Sequence, residues 1–354
     1  MLSVLSRLHR HSFEFVAFCP AESLLAGQLA ALNVECHAMS FHDSARQRLS
    51  REDVAAQMLP TLQAGGFDLL HANSLSMSRL TGALASQWPI PCSGHLRDII
   101  KLSKAAIRDL NQNRRLIAVS EATRAFHIAQ GLEPDRVTVC YNGIDGERFQ
   151  PRPATGALKQ ELGLPNDARL CLTIGQLGLR KGQDVLAEAA AILAAQGDQN
   201  THFVLVGERH SQKQESIDYD RAITAAFAQP GLAGRLHRLG YREDIAWLMN
   251  EADLLVHPAK QEPLGRVLLE AIASGLPIVA TDVGGTSEIV QHSASALLVP
   301  ASNSIELADA IKRVLSDRSL GQSLADAARL RALDCFTSEQ ASQRIVAFWD
   351  ELCQ

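Results

Sequence analysis

The sequence predicts an α/β protein with two parallel sheets, each covered by helices on both faces. Apolar segments of strand length alternate with helix-length segments almost throughout the 354 residues. The strand segments are nearly continuous apolar runs, which is typical of strands buried on both faces. A chain of this length can also form two separate hydrophobic cores.

Six strands are predicted in each half of the chain. Those of the first half are Phe13–Cys19, Val34–Ser40, Phe67–Ala72, Ile90–His95, Leu116–Val119 and Arg136–Tyr141. Those of the second half are Leu170–Gly175, His202–Gly207, Leu236–Leu239, Asp253–His257, Ile278–Thr281 and Ala296–Val299. Helices such as Gln183–Ala195 and Ile305–Ser316 fall between them, so each half predicts a Rossmann-like domain.

Composition excludes several classes of protein. A net charge of −5 argues against nucleic acid as the main partner, and a hydrophobic fraction of 46% is ordinary for a soluble enzyme. No apolar run approaches the roughly 20 residues of a membrane span, and Arg7 and Arg10 break any signal-peptide pattern early. Seven scattered cysteines without a C-x-x-C predict neither a zinc site nor a disulfide framework, which favours a reducing cytoplasm.

The stretch from Asp253 to Val290 carries the most chemical information. It predicts a buried strand, a loop that contains Glu262, a helix from about Gly265 to Ser274, a second strand and a flexible Gly-rich turn. Glu270 lies on that helix, eight positions after Glu262. A helix N-terminus offers free N–H groups and a positive dipole end to an anion, and glycine lets a ligand approach the backbone. A diphosphate bound there would leave both glutamates within reach of ligand hydroxyls.

This arrangement resembles the signature of retaining glycosyltransferases of the GT-B fold, in particular glycosyltransferase family 4. The Glu-x7-Glu signature of the family is matched by Glu262 and Glu270. Three more stretches match in the same order: Val119–Ala122, Tyr141–Asp145 with Phe149 and Pro151, and Ile174–Leu177 with Arg180–Gly182. The resemblance implies two Rossmann-like domains that face each other across a cleft. It places an acceptor-side domain at residues 1–150 and a nucleotide-sugar domain at 151–337, with a last helix at about 338–354 crossing back to the first domain.

The resemblance also implies roles for individual residues. Lys181 corresponds to the family's diphosphate-binding lysine, Glu262 to the partner of the donor sugar's hydroxyls, and His95 to a histidine near donor sugar and acceptor. Glu270 is the expected acceptor of the ribose hydroxyls. Further donor contacts are expected from Gly175, Gln176, Arg180, Tyr241, Leu264, Gly265 and Arg266, and acceptor-side contacts from His71, Asn73 and Arg97. Gln176 stands where the family has arginine, which removes a bidentate phosphate partner.

The expected reaction is the retaining, metal-independent transfer of a sugar from a nucleotide-diphosphate sugar to a glycan or lipid-linked acceptor. No cofactor and no metal are expected, because cationic side chains and a helix dipole can stabilise the leaving diphosphate. The resemblance places the enzyme in the cytoplasm, with peripheral contact at the inner face of the membrane. Two alternatives stay open: a nucleotide-sugar epimerase of the same fold, and a truncated homologue without catalysis.

Two further features qualify this picture. The Asp218-Tyr219-Asp220 sequence is formally a D-x-D metal signature, but its polar surroundings predict a solvated helix or loop. The resembled family opens with a strand and a Gly-rich loop, whereas Met1–His11 predicts a helix that precedes the second strand. We therefore expect the first domain to lack its first, central strand, and the upstream DNA to encode an in-frame apolar run and a Gly-rich loop. The alternative is a rearranged N-terminal sheet.

Overall fold

The computed structural model describes residues 2–8 and 13–354, which divide into two compact units. Unit 1 comprises residues up to Gly143 together with Ser338–Gln354, and unit 2 comprises Ile144–Thr337. Residues 144–150 lie with the second unit, because the backbone N–H of Ile144 donates to the carbonyl of Phe336 at 2.8 Å. No helix in the described ranges is long and apolar enough to cross a membrane.

The described residues of unit 1 contain six strands, all in parallel pairs. They are β1 Val16–Cys19, β2 Glu35–Ala38, β3 Leu70–Ala72, β4 Cys92–Leu96, β5 Arg115–Ala118 and β6 Val137–Val139. The helices before and between them are α1 Leu2–Leu8, α2 Leu24–Ala30, α3 Arg51–Ala56, α4 Leu59–Gln63, α5 Leu75–Ala83, α6 Lys104–Asn111 and α7 Glu121–Ile128. Helix α1 agrees with the predicted N-terminal helix, of which residues 1 and 9–11 lie outside the described residues.

The strands of unit 1 form two separate sheets. One has the order β1-β2 and the other the order β3-β4-β5-β6. Within the part of the chain that the structure describes, β1 pairs only with β2, and β3 pairs only with β4. Among the described residues, β1 and β3 therefore each have no hydrogen-bonded neighbouring strand along one edge.

Unit 2 is a single six-stranded parallel sheet with helices around it. Its strands are β7 Arg169–Ile174, β8 Thr201–Val206, β9 Leu236–Gly240, β10 Leu254–His257, β11 Ile278–Thr281 and β12 Leu297–Val299. Its helices are α8 Ala157–Glu161, α9 Gln183–Ala195, α10 Gln214–Phe227, α11 Ile245–Glu251, α12 Arg266–Ala273, α13 Thr286–Ile289, α14 Ser304–Ser316 and α15 Arg318–Cys335. The strand order is β12-β11-β10-β7-β8-β9. The chain therefore reverses its winding direction between the adjacent strands β7 and β10, as in Rossmann-like folds.

The last helix, α16, spans Ser338–Cys353 and belongs to unit 1. It packs against α1 through a core that also includes Ile117 of β5. Its buried apolar residues include Ile345, Phe348 and Trp349. The C-terminal segment thereby completes the core of the unit that the N-terminal half forms.

Candidate active site

Most of the predicted donor-site residues of unit 2 follow the carboxyl ends of β7 and β10. These two strands are adjacent, and the sheet changes its winding direction between them. Crevices at such switch points are where open α/β sheets bind ligands. A 3₁₀ turn, Leu179–Lys181, follows β7, and the loop that carries Glu262 follows β10. The chain thus brings a lysine and a glutamate 81 residues apart to the same sheet edge.

A buried charge cluster forms the centre of this site. Lys181 Nζ donates to Glu262 Oε2 at 2.5 Å, and His257 Nε2 lies 3.0 Å from the same oxygen. The side chains are only 13%, 9% and 3% exposed for Lys181, Glu262 and His257. Burial alone would raise the pKa of Glu262, but the hydrogen bonds and charge interactions with His257 and Lys181 lower it to about 2. The Glu262 carboxyl is therefore ionised at neutral pH.

The lowered pKa also sets the pH range over which this cluster stabilises the fold. A carboxyl whose pKa is lower in the folded protein stabilises it above its ordinary pKa, which is 4.5 for this group. The contribution of the ionised Glu262 carboxyl to the stability of the fold is lost as the pH falls from 4.5 toward about 2. The cluster is therefore intact at neutral pH.

Backbone contacts hold the two loops in place. The carbonyl of Arg180 accepts hydrogen bonds from the N–H groups of Lys260 and Gln261 at 2.8 and 3.3 Å. The Lys260 ammonium pairs with Asp184 Oδ2 at 2.5 Å. Gly182 has φ 67°, and a Cβ there would lie 1.8 Å from the carbonyl oxygen of Pro258. The turn after β7 and the loop after β10 consequently pack without room for any side chain between them.

Helix α12 starts beside this cluster at Gly265. Gly265 has φ 101°, and a Cβ would lie 2.8 Å from the Leu268 side chain. The predicted flexible turn at Gly284-Gly285 is in fact packed, since a Cβ on Gly285 would lie 2.6 Å from the carbonyl oxygen of Pro263. The N–H of Gly285 also donates to the carbonyl of Glu262 at 3.0 Å. Leu264 is buried, whereas the side chain of Arg266, the first residue of α12, is exposed.

Glu270 lies on α12 in the position that the sequence predicted. Its side chain is 13% exposed, and the guanidinium of Arg266 lies 3.6 Å from its Oε1. Burial raises the pKa of Glu270 although the charges of Arg266 and Arg148 lower it in part. Nearby positive charges thus offset only part of the cost of burying this carboxylate. Such a carboxylate can accept hydrogen bonds from an incoming ligand.

The remaining predicted donor residues lie after β7 and after β9, and most of them have exposed side chains. The stem of Lys181 runs along Gly175, where a Cβ would lie 3.5 Å from Lys181 Cε. Gln176 and Arg180 are exposed, and the carbonyl of Gln176 accepts from the Gln183 amide at 3.2 Å. Tyr241 is 68% exposed in the turn after β9. The exposed side chains of Gln176, Arg180 and Tyr241 are accessible to a ligand from solvent.

The prediction that Asp218-Tyr219-Asp220 forms a solvated helix or loop is wrong for Tyr219. The segment lies on α10, and Tyr219 is buried with its hydroxyl donating to Asp184 Oδ1 at 2.9 Å. Asp220 pairs with the guanidinium of Arg238 at 2.7 Å. The middle residue of the D-x-D faces the core because it falls on the apolar side of the helix. Within the described residues, no group of three or more His, Cys, Asp and Glu side chains could hold a metal ion.

The predicted residues of unit 1 form a second cluster. Arg97 Nη2 donates to Asn73 Oδ1 at 2.7 Å and lies 3.3 Å from His95 Nδ1. The rings of His71 and His95 meet edge to face, with centroids 5.9 Å apart. Burial and the nearby Arg97 charge lower the pKa of His71 to about 3 and hold that of His95 well below its usual value. Both imidazoles are therefore neutral at physiological pH.

Sequence reasoning missed three residues in these clusters. His257 completes the charge cluster, and its place at the carboxyl end of a buried strand was a usable signal. Arg148 influences Glu270 from 122 positions away in the chain, which no local pattern reveals. Trp349 contacts the ring of His71 from the C-terminal helix, at a centroid distance of 5.5 Å.

Comparison with known protein families covers nearly the whole chain. The family model for "Glycosyl transferases group 1" matches residues 155–331, and that for "Glycosyltransferase Family 4" matches residues 1–148. A D-inositol 3-phosphate glycosyltransferase of Thermobispora bispora is 27% identical over 301 residues, which are 77% of this chain and 70% of the relative. The enzyme of the same name from Geodermatophilus obscurus is 27% identical over 328 residues, 84% of this chain and 72% of the relative.

Solved structures show the same fold. HepE of Anabaena in complex with UDP-glucose superimposes with a TM-score of 0.86 at 25% identity, covering 99% of this chain and 95% of that one. Sucrose-phosphate synthase from Thermosynechococcus elongatus has a TM-score of 0.80 at 19% identity, covering 99% and 91% of the two chains, and shows the fold alone. The chain belongs to the family of glycosyl transferases group 1, glycosyltransferase family 4, and is a glycosyltransferase of the GT-B fold.

Proposed function

We propose that this protein transfers a sugar, with retention of its anomeric configuration and without a metal ion, from a nucleotide-diphosphate sugar to a glycan or lipid-linked acceptor. The observation that carries the proposal is the Lys181–Glu262–His257 cluster beside the start of α12, at the switch point of the unit 2 sheet. It combines a cation for a diphosphate with an ionised carboxylate for hydroxyls. We place the enzyme in the cytoplasm, at the inner face of the membrane that holds such acceptors.

The donor is inferred from the chemistry of this cluster and from one neighbour. HepE binds UDP-glucose, and we infer a UDP-sugar for this chain. Lys181, aided by Arg180, neutralises charge that develops on the leaving diphosphate, and backbone N–H groups at Leu264, Gly265 and Arg266 face its oxygens. Such preorganised donors stabilise a transition state because they need no rearrangement as charge develops.

Carboxylates position the sugar and ribose in this scheme. Glu262, held ionised by Lys181 and His257, accepts hydrogen bonds from hydroxyls of the transferred sugar. Glu270 accepts those of the ribose hydroxyls. The turn at Tyr241 contacts the nucleobase of the donor. The acceptor is contacted by residues of unit 1, namely His71, Asn73, Arg97 and His95. The acceptor hydroxyl attacks from the face that the diphosphate leaves, since the scheme uses no carboxylate as a nucleophile. As the bond between the sugar and the diphosphate breaks, the proton of the hydroxyl passes to the departing diphosphate oxygen.

Glu270→Gln tests this proposal. We expect nucleoside diphosphate affinity to fall about ten- to a hundredfold, because hydrogen bonds to a charged acceptor are worth about 1.5–3 kcal/mol. The free energy of unfolding should not fall, because the substitution removes a buried charge whose pKa burial raises. Titration calorimetry with UDP and urea unfolding measure the two quantities.

Glu251→Gln is the matched control. Glu251 is also a buried glutamate of unit 2, but it accepts hydrogen bonds from the N–H and the hydroxyl of Thr155, both at 2.7 Å. This variant should be less stable and should bind UDP as the wild type does. Unchanged UDP affinity in Glu270→Gln, in a wild type that binds UDP, would show that Glu270 does not contact the ribose.

A further inference from the structure

Three aromatic rings form a row in unit 1. The Trp349 ring of α16 meets the His71 ring of β3 at 5.5 Å and 68°, and His71 meets the His95 ring of β4 at 5.9 Å and 67°. Each ring carries a buried nitrogen without a hydrogen-bond partner in the described residues: Trp349 Nε1, His71 Nε2 and His95 Nε2. Trp349 is 5% and His95 1% exposed. Buried polar groups without partners are rare in native proteins and point to a missing ligand or water.

The neighbouring side chains fix where the protons lie. His95 Nδ1 is 3.3 Å from Arg97 Nη2, and a guanidinium can only donate, so Nδ1 accepts. Burial and Arg97 keep the pKa of His95 well below its usual value, so the neutral ring carries its single proton on Nε2. An indole nitrogen is always a donor. Trp349 and His95 therefore present two N–H donors without an acceptor in the described residues. His71 Nδ1 lies 2.9 Å from the Ser93 hydroxyl, which can either donate or accept.

The three rings are suited to bind a ligand through a neutral oxygen atom. Both histidines resist protonation, and the Arg97 charge is already engaged by Asn73 Oδ1 at 2.7 Å. A hydroxyl oxygen can accept from an N–H and donate its own hydrogen to a ring nitrogen. We propose that Trp349 is a substrate-binding residue, whose indole N–H joins His71 and His95 in binding sugar hydroxyls. This rests on the proposed sugar transfer, and the sugar is either that of the donor or that of the acceptor.

Trp349→Phe tests the inference, with Trp88→Phe as its matched control. Phenylalanine keeps an aromatic ring but removes the N–H. Trp88 is another tryptophan of unit 1, 6% exposed, whose Nε1 donates to the carbonyl of Thr81 at 2.8 Å. Loss of an unpaired N–H should leave the melting temperature of Trp349→Phe at or above that of the wild type. Loss of a satisfied hydrogen bond should lower it in Trp88→Phe.

Binding is measured for UDP-glucose, UDP-N-acetylglucosamine and GDP-mannose, each against its parent nucleotide, and for the free sugars. We expect Trp349→Phe to bind sugar-containing ligands about three- to tenfold more weakly, as for one neutral hydrogen bond, with nucleotide affinity unchanged. Weaker binding of nucleotide sugars only assigns the row to the donor sugar, and weaker binding of free sugars assigns it to the acceptor. Trp88→Phe should bind every ligand as the wild type does.

A second measurement reads the indole directly. The chain has three tryptophans, so an amide spectrum of ¹⁵N-labelled protein contains three indole signals that the Phe variants assign. The Trp349 signal should shift with a sugar-containing ligand and stay in place with the parent nucleotide, while the Trp88 signal stays in place with both. If the Trp349 signal moves with none of the sugars, or if Trp349→Phe binds them all like the wild type, the inference is wrong. UDP binding that persists in that case leaves the proposed donor site of unit 2 standing.

Discussion

Replacing Lys181 with methionine is expected to lower turnover about a hundred- to a thousandfold, the usual loss for one preorganised donor to a developing anion. Lys181 Nζ lies 2.5 Å from Glu262 in the site, and methionine keeps the stem that packs along Gly175. The variant should also be less stable, because Glu262 is left buried with His257 as its remaining partner in the cluster. Release of nucleoside diphosphate from a nucleotide sugar measures turnover, and urea unfolding measures stability.

Gln176 supplies the comparison for Lys181. It is exposed, uncharged and on the same loop, so Gln176→Ala should change turnover much less than Lys181→Met. Gln176→Arg restores the arginine of the family and should leave turnover equal or higher, since a guanidinium can bind phosphate oxygens in pairs. Equal losses of turnover in Lys181→Met and Gln176→Ala would show that Lys181 has no special role.

Gly182→Ala is expected to have the largest effect on stability. The backbone there has φ 67°, which costs an alanine roughly 1–2 kcal/mol, and the new Cβ would lie 1.8 Å from the carbonyl oxygen of Pro258. Forcing packed neighbours apart adds about 1–3 kcal/mol. The loop that carries Glu262 must then move away from Lys181, so nucleoside diphosphate affinity should fall together with the free energy of unfolding.

Gly178→Ala is the control for the Gly182 variant. Gly178 belongs to the same loop, but its φ of 174° is ordinary extended backbone and nothing lies within 4 Å of its Cβ position. We expect stability and binding close to those of the wild type. If Gly182→Ala behaved like Gly178→Ala, the close packing of the two loops would not be what holds the charge cluster together.

The sequence predicted the strands and helices of unit 2 well because local signals agreed with the tertiary environment. The predicted helix Gln183–Ala195 has the observed bounds, since Gly182 caps its start in a left-handed conformation. The buried strand Ile278–Thr281 was predicted with its observed bounds because both of its faces are apolar. Glu262 and Glu270 were predicted as site residues from their spacing along a strand–loop–helix pattern, and Lys181 was predicted from the resemblance to glycosyltransferase family 4.

What the sequence did not reveal depends on loop geometry and on contacts between distant segments. The pairing of His257 with Glu262 requires the loop geometry after β10, and the approach of Trp349 to His71 requires the position of α16 in unit 1. The hydrogen-bond partner of the Tyr219 hydroxyl, Asp184, lies on another helix. Local periodicity carries no information about these partners, so only the folded structure reveals them.

The most direct test of the donor site is titration calorimetry of the wild-type chain with UDP, GDP and ADP in the presence of a metal chelator. We expect at least one diphosphate to bind, UDP to bind most tightly, and Lys181→Met and Glu270→Gln each to weaken this binding. Removal of metal should not matter if, as proposed, Lys181 and Arg180 supply the charges that receive the diphosphate. Binding that appears only after a divalent cation is added, or no binding of any diphosphate, would show that Lys181 and the start of α12 do not form the proposed metal-independent donor site.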